Sequence, residues 1–314
     1  MRVTQQVDDL RLEGKPIVLA AGSFDGMHKG HQVVITEAVT KAEALGGEAW
    51  ALTLDPHPLK VLKPASAPPL ITSTPHKLRL MENLGVSGCV VLPFTKDVAN
   101  EPAEEFIARL KKSAPTLTEI VAGDNWTFGR KAEGNVKLLR KLASVHGFSV
   151  TVMDPLLWEG SPISSTRVRE AVARGDLDDA AEMLGRPFSI FGTVIRGRQI
   201  GTQLGFPTAN LDPHNEVRPP NGVYAVRVVV GSREFSGAAF LAGPSFAQAS
   251  PSGFVVEVHL LDFDMDIYHR EIEVFFLRWI RAPQRFDSRH KLKAQIAADV
   301  AQIRQIVSNI PNIT

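Results

Sequence analysis

Two imidazoles one helical turn apart, His28 and His31, sit within Gly22-Ser23-Phe24-Asp25-Gly26-Met27-His28-Lys29-Gly30-His31. Such a pair can donate to phosphate oxygens whose charge grows in a transition state, and Gly30 lets backbone come close. Taken alone, His-x-x-His is equally a pair of surface or capping histidines, or two metal ligands. Zinc is the weaker option because spacing places no third ligand. A second stretch, Ile163-Ser164-Ser165-Thr166-Arg167-Val168-Arg169, puts hydroxyls at a helix start ahead of two arginines. That composition suits a phosphate cradle, and it equally suits an ordinary capped helix with solvated arginines. A third runs from Gly192-Thr193-Val194-Ile195-Arg196-Gly197 through Leu204-Gly205-Phe206-Pro207-Thr208-Ala209-Asn210. Closely spaced glycines let a loop fold over phosphates, and the Thr208 hydroxyl and Asn210 amide oxygen are hard ligands suited to Mg²⁺ bridging ATP. The plain alternative is a glycine-rich turn leading into a strand.

The elements that must position these groups differ between the two halves. Apolar runs at 17–21, 49–54, 89–92, 119–122 and 149–153 alternate with helical patterns at 32–45, 103–111 and 135–146. Strands separated by helices predict a parallel sheet covered on both faces. The paired histidines then lie between the first strand and first helix, at the edge where open α/β folds bind ligands and a helix start offers free N–H groups to an anion. After a helix beginning near Ser165 the texture changes, and Leu184-Gly185-Arg186-Pro187 reads as a boundary, giving domains 1–185 and 186–314. Strand candidates at 188–194, 223–230, 234–239, 254–262 and 271–277 predict a small antiparallel barrel or sandwich. Asp287-Ser288 can cap a long helix whose apolar positions Leu292, Ile296, Val300, Ile303 and Val307 face that barrel.

Composition bounds the function classes. The 314 residues suffice for two cored domains, and 35 basic against 34 acidic residues leave a formal charge of +1 with no basic face or tail. Nucleic-acid binding as the main task is therefore disfavoured, and small-molecule substrates are expected. No apolar run approaches the ~20 residues of a spanning helix, and the first fifteen residues are polar, so a cytoplasmic protein without a membrane partner is expected. The single cysteine, Cys89, sits in an apolar stretch that reads as a buried strand and excludes an internal disulfide. Neither a Gly-x-x-x-x-Gly-Lys-Ser/Thr loop nor any Gly-x-Gly occurs, so phosphate must be held by other means.

Together the first two stretches resemble the nucleotidyltransferase superfamily, whose members carry His-x-Gly-His and Ile-Ser-Ser-Thr-x-x-Arg as paired triphosphate-binding elements. No Lys-Met-Ser-Lys-Ser-like loop of class I aminoacyl-tRNA synthetases is present. Thr53-Leu54-Asp55-Pro56-His57-Pro58 and Val121-Ala122-Gly123-Asp124-Asn125-Trp126-Thr127-Phe128-Gly129 resemble the flavin-side loops of bacterial bifunctional riboflavin kinase/FAD synthetases. Gly-Phe-Pro-Thr-Ala-Asn at 205–210 resembles the riboflavin kinase signature, and Val256-Glu257-Val258-His259 lies where that family has its catalytic glutamate. The resemblance covers nearly the whole chain. It implies a Rossmann-like nucleotidyltransferase domain, then a small β-barrel kinase domain with a long C-terminal helix. It further implies that ATP phosphorylates riboflavin to FMN, and that a second ATP adenylylates FMN to FAD with release of pyrophosphate, both with Mg²⁺.

On that basis His28, His31 and Glu257 are the expected catalytic groups. Gly22, Phe24, Gly30, Ser164, Ser165, Thr166, Arg169, Gly197 and Gly205 are expected to bind nucleotide, and His57, Pro58, Asp124, Asn125 and Arg281 to bind flavin. Thr208 and Asn210 are the expected metal ligands. Departures from the family pattern concentrate in the second half: Thr202 stands for a usual Arg or Lys, His269 for a usual Gly, and 239–246 is a shortened segment. Loss of one charge-assisted hydrogen bond at Thr202 is worth roughly 1.5 to 3 kcal/mol. Two alternatives follow: an FMN adenylyltransferase with a degenerate flavin-binding barrel, or a non-catalytic flavin sensor.

Overall fold

The computed structural model describes residues 1–10, 14–197 and 200–243, and then 254–313. Compactness divides the chain into two units, one of residues 1–69 and 74–165, the other of 70–73 and 166–314. In the first unit β1 (Arg2–Thr4), β2 (Ile17–Ala21), β3 (Glu48–Asp55), β4 (Gly88–Pro93), β5 (Leu117–Gly123) and β6 (Ser149–Met153) form one sheet in the order β1-β4-β3-β2-β5-β6. All neighbours are parallel.

Alternation along the strands explains why both faces are apolar. Ile17, Leu19, Trp50, Leu52, Val90 and Ile120 pack with Phe106, Ile107, Leu110 and Leu139 on one side. Val18, Ala20, Ala49, Ala51, Cys89 and Val91 pack with Val34, Ile35, Ala38 and Met81 on the other. Two layers of helices therefore cover a buried parallel sheet, as the near-continuous apolar runs require. Beyond the predicted strands, the structure adds the edge strand β1 and the helix Thr74–Asn83. The strand order reverses direction at β2, which has β3 on one side and β5 on the other. That reversal falls at β2 and β5, and the carboxyl ends of strands at such a reversal are the place where open α/β sheets take ligands.

Along the chain after β6, β7 (Leu157–Trp158) and β8 (Ser161–Pro162) form a short hairpin, followed by helices Ser165–Arg174 and Leu177–Leu184. The second unit is a closed antiparallel barrel of β9 (Ser189–Ile195), β10 (Ala209–Pro213), β11 (Gly222–Val230), β12 (Arg233–Ala242), β13 (Val255–Leu260) and β14 (Glu271–Arg281). Its order is β10-β13-β12-β11-β14-β9, and β9 closes on β10. Closure removes every free edge. The helix Arg289–Val307 starts as expected at Ser288, whose hydroxyl accepts from Lys291 N–H at 3.3 Å. Ile303 and Val307 are buried with Val223, Ala225 and Leu261, while Leu292 and Ile296 are only half covered. Among the described residues no helix is long and apolar enough to cross a membrane.

Candidate active sites

The first site grows from the carboxyl end of β2. Gly22 N–H donates to Leu52 O at 3.1 Å, and a Cβ at Gly22 would lie 2.9 Å from the Phe24 ring. Phe24, Gly26 and Met27 take φ values of 52°, 84° and 44°, a left-handed run that folds the loop back on itself. The run delivers His28 to the N-cap of helix Lys29–Ala44, where its Nδ1 accepts from His31 N–H at 3.3 Å. A neutral His28 therefore carries its proton on Nε2. The two imidazoles stack, 3.6 Å between centroids and 17° from parallel, and the Phe24 edge meets His31 at 5.4 Å.

His31 Nδ1 is buried with no hydrogen-bond partner among the described residues. Burial first, then the neighbouring His28 and Lys77 charges, hold the His31 pKa well below the usual 6.5. The imidazole is thus neutral at physiological pH, a form that can donate one hydrogen bond without carrying a charge. Gly30 has a local packing reason. A Cβ there would come 3.2 Å from His28 Cε1, so the missing side chain makes room for the His28 ring. Ser165 also departs from simple capping, since its hydroxyl donates to Asp25 O at 2.9 Å and ties the second motif to the first loop. Ser164 is half-buried beside it in sequence, whereas Thr166 and Arg169 lie on the helix that Ser165 opens, in residues belonging to the second unit.

The expected flavin-side residues stand at the same sheet edge. His57 caps the short helix Pro58–Leu62 by accepting from Leu59 N–H at 3.2 Å, with Pro58 in the first turn. Asp124 and Asn125 follow β5 directly and are exposed, in a turn closed by Trp126 N–H to Gly123 O at 3.1 Å. The β2–β5 register pairs Ala21 with Ala122, so the histidine loop and the Asp124-Asn125 turn leave adjacent strands together. Trp126 stacks on Phe128 at 4.7 Å, half-buried at this edge.

In the second unit the β10–β13 register sets Asn210 opposite Glu257. Gly197 lies against Asn210: a Cβ there would fall 2.1 Å from the Asn210 amide nitrogen. Gly205, at φ 87°, turns the chain into Phe206-Pro207-Thr208, and Gly201 approaches Phe206 O so closely that a Cβ would sit at 2.3 Å. His259, two residues beyond Glu257, reaches back with its Nδ1 2.7 Å from Pro207 O, which pins the Thr208 segment to β13. Beside them opens a cavity of ≈ 350 Å³ whose lining includes Thr202, Thr208, Ile267 and Tyr268. That volume lies within the range of small-molecule sites. A larger cavity of ≈ 550 Å³, against the C-terminal helix, holds none of these groups, and its Arg304 is already bound to Asp262 at 2.7 Å.

Hard oxygen donors at Asn210, packed against Gly197, and at Thr208, beside Gly201, fit a divalent cation that takes its remaining ligands from phosphates. Among the described residues no cluster of three or more His, Cys, Asp or Glu could form an all-protein cage. Arg281 does not offer its guanidinium to an open cleft. Its Nε lies 3.0 Å from both Asp299 oxygens, its Nη2 2.7 Å from one of them, and its Nη1 donates to Ala282 O. The geometry makes it a strut between β14 and the C-terminal helix. His269, where glycine is usual, has φ 63°, the conformation for which glycine is normally selected. Of the altered 239–246 segment, Ala239–Ala242 lies in β12, while 244–246 falls outside the described residues. Sequence reading missed Lys77, and it took in Thr53 and His259 only as members of longer stretches, without a role. None belongs to a local phosphate or metal motif, and each acts through backbone carbonyls that only the folded chain brings within reach.

Residues 11–167 match the family described as FAD synthetase, and residues 184–307 match riboflavin kinase. The chain is 36% identical over 290 residues to the bifunctional riboflavin kinase/FMN adenylyltransferase of Escherichia coli K12, covering 92% of each chain. It is 35% identical to that of Haemophilus influenzae, covering 90% of this chain and 91% of the relative. A solved Streptococcus pneumoniae chain titled a macrolide-efflux protein superposes with TM-score 0.79 at 29% identity, covering 96% and 98% of the two chains. That title describes the other chain. Both halves of this one match enzyme families, and the chain belongs to the family of bifunctional riboflavin kinase/FMN adenylyltransferases.

Proposed function

We propose that the two activities of this family, phosphorylation of riboflavin to FMN and adenylylation of FMN to FAD, are carried by separate sets of residues in the two halves. The functional boundary is taken at 185/186. In the first half His28 and His31 donate hydrogen bonds to the α-phosphate of ATP as FMN phosphate oxygen attacks it and pyrophosphate leaves. Gly22, Phe24 and Gly30 shape that loop. Ser164 and Ser165, with Thr166 and Arg169 assigned by sequence motif, hold the β- and γ-phosphates, while His57, Pro58, Asp124 and Asn125 line the flavin side. The observation that supports this reading best is the stacked, capped and largely buried histidine pair at the strand-order reversal of the sheet.

In the second half Glu257 takes the proton from the ribityl hydroxyl as its oxygen attacks the γ-phosphorus and ADP leaves. Gly197 and Gly205 allow the loop to approach phosphate. Thr208 and Asn210 are assigned to Mg²⁺, which when bound neutralises phosphate charge. Arg281 contributes to flavin binding by fixing the end of β14. The placement of Glu257 opposite Asn210 argues against a barrel that has lost its chemistry. The even charge balance and lone cysteine favour a cytoplasmic enzyme of small molecules with no nucleic-acid partner. The test is His28→Ala supplied with FMN, ATP and Mg²⁺: FAD and pyrophosphate formation should cease. Undiminished FAD would remove His28 from the mechanism.

A further inference from the structure

Beneath the histidine loop lies a buried cation with no role in either motif. Lys77, on the helix Thr74–Asn83, is 6% exposed. Its Nζ donates to Ser23 O at 2.7 Å and to Thr53 Oγ1 at 3.2 Å, and Thr53 Oγ1 itself donates to Ser23 O at 3.0 Å. One ammonium thus joins three elements: its own helix, the end of β3, and the loop between Gly22 and His28. An ammonium has three donors, and these two neutral oxygens are its hydrogen-bond partners among the described residues. Among the described residues no ion pair neutralises it. Asp25, Cys89 and Asp55 act on it only through the wider field, and they do not offset the burial that lowers its pKa. A buried charge without a paired counter-charge is costly, so a fold that keeps one has a use for it.

We propose that Lys77 is a positioning residue of the adenylyl-transfer site, whose buried charge fixes the Ser23 carbonyl and holds the loop in readiness for anionic phosphate. The inference rests on the assignment of that loop to ATP. Bound phosphates would add negative charge to that of Asp25 and Asp55 around Lys77, so nucleotide binding and the buried cation favour each other. The same charge acts on the imidazoles. The groups facing His31 are His28 from its own turn and Lys77 from the neighbouring helix, and both oppose its protonation. Asp25, Asp55 and the Cys89 thiol face Lys77 from the loop, β3 and β4. Lys77 therefore helps keep His31 in the neutral, donating form.

The experiment compares Lys77→Gln, which keeps a hydrogen-bonding side chain without the charge, with Lys77→Arg, which keeps the charge. Both are made in the full-length chain and assayed with FMN, ATP and Mg²⁺. The imidazole protons are titrated by NMR without nucleotide, and riboflavin-to-FMN conversion is followed as a readout of the other half. The expected result is a fall in kcat/KM for ATP of about tenfold or more in Lys77→Gln, less in Lys77→Arg. The His31 titration should move upward by about half a pH unit or more in Lys77→Gln alone. Equal losses in both variants with an unmoved His31 titration would mean a merely structural lysine and overturn the proposal, as would full activity in Lys77→Gln. His28→Ala, assayed in parallel, separates the failures: if it retains FAD formation, the site assignment falls irrespective of Lys77.

Discussion

At Gly197 a single methyl group would sit 2.1 Å from the Asn210 amide nitrogen, on a side chain that faces Glu257 across the ladder. Gly197→Ala should therefore disable riboflavin phosphorylation by at least about tenfold, since small displacements of positioned groups are costly. FAD formation from supplied FMN should continue, and a two-substrate assay distinguishes the steps. Gly30→Ala mirrors it in the first half, pressing on His28 Cε1 at 3.2 Å, and should slow FAD formation selectively. His269 carries the opposite lesson. It is exposed at φ 63°, so His269→Gly should stabilise the barrel by up to about 1 kcal/mol, read from the denaturant midpoint. Cys89, buried in β4, has its thiol pushed up to about 12 by burial, and should resist alkylation in the native protein.

Among the elements, the C-terminal helix depends on more than its apolar stripe. Asp299 is 5% exposed and binds Arg281 through several charge-assisted bonds, with Gln295 Nε2 donating at 2.9 Å. Asp299→Ala leaves that guanidinium half-buried and unpaired, and should cost about 3 kcal/mol in urea unfolding. Alternating and helical periodicities revealed the five longer strands of the sheet and three of its covering helices, because burial on both faces and amphipathic helices leave that signal. They missed β10, since Ala209-Asn210-Leu211-Asp212-Pro213 reads as turn chemistry and becomes a strand only by pairing with β9 and β13. The helix Thr74–Asn83 escaped for a related reason. Its start carries Pro75, His76 and Lys77, two of them buried polar residues, which a search for apolar faces ranks as surface. The histidine pair and Glu257 were legible as motifs, whereas the carbonyl struts Lys77 and His259 have partners distant in sequence, and Arg281 acquired its partner only through the helix at Asp299.

For the whole molecule, the proposed sites give the even charge a physical reading: polyphosphate would be met by placed donors and a buried ammonium rather than by a basic surface. The depressed His31 pKa also sets a pH dependence. Above 6.5 both folded and unfolded forms are neutral and its contribution is intact. As pH falls below that value the unfolded chain takes up a proton that folded His31 refuses, so stability declines in mild acid. Urea midpoints at neutral and mildly acidic pH should show the loss, and His31→Gln should flatten it. The central claim, two chemistries on two separate residue sets in one chain, is tested most directly by chromatography of flavin products from two variants. His28→Ala given riboflavin, ATP and Mg²⁺ should accumulate FMN without FAD, and Glu257→Gln should make no FMN from riboflavin yet convert supplied FMN to FAD. Loss of both reactions in either folded variant would contradict it.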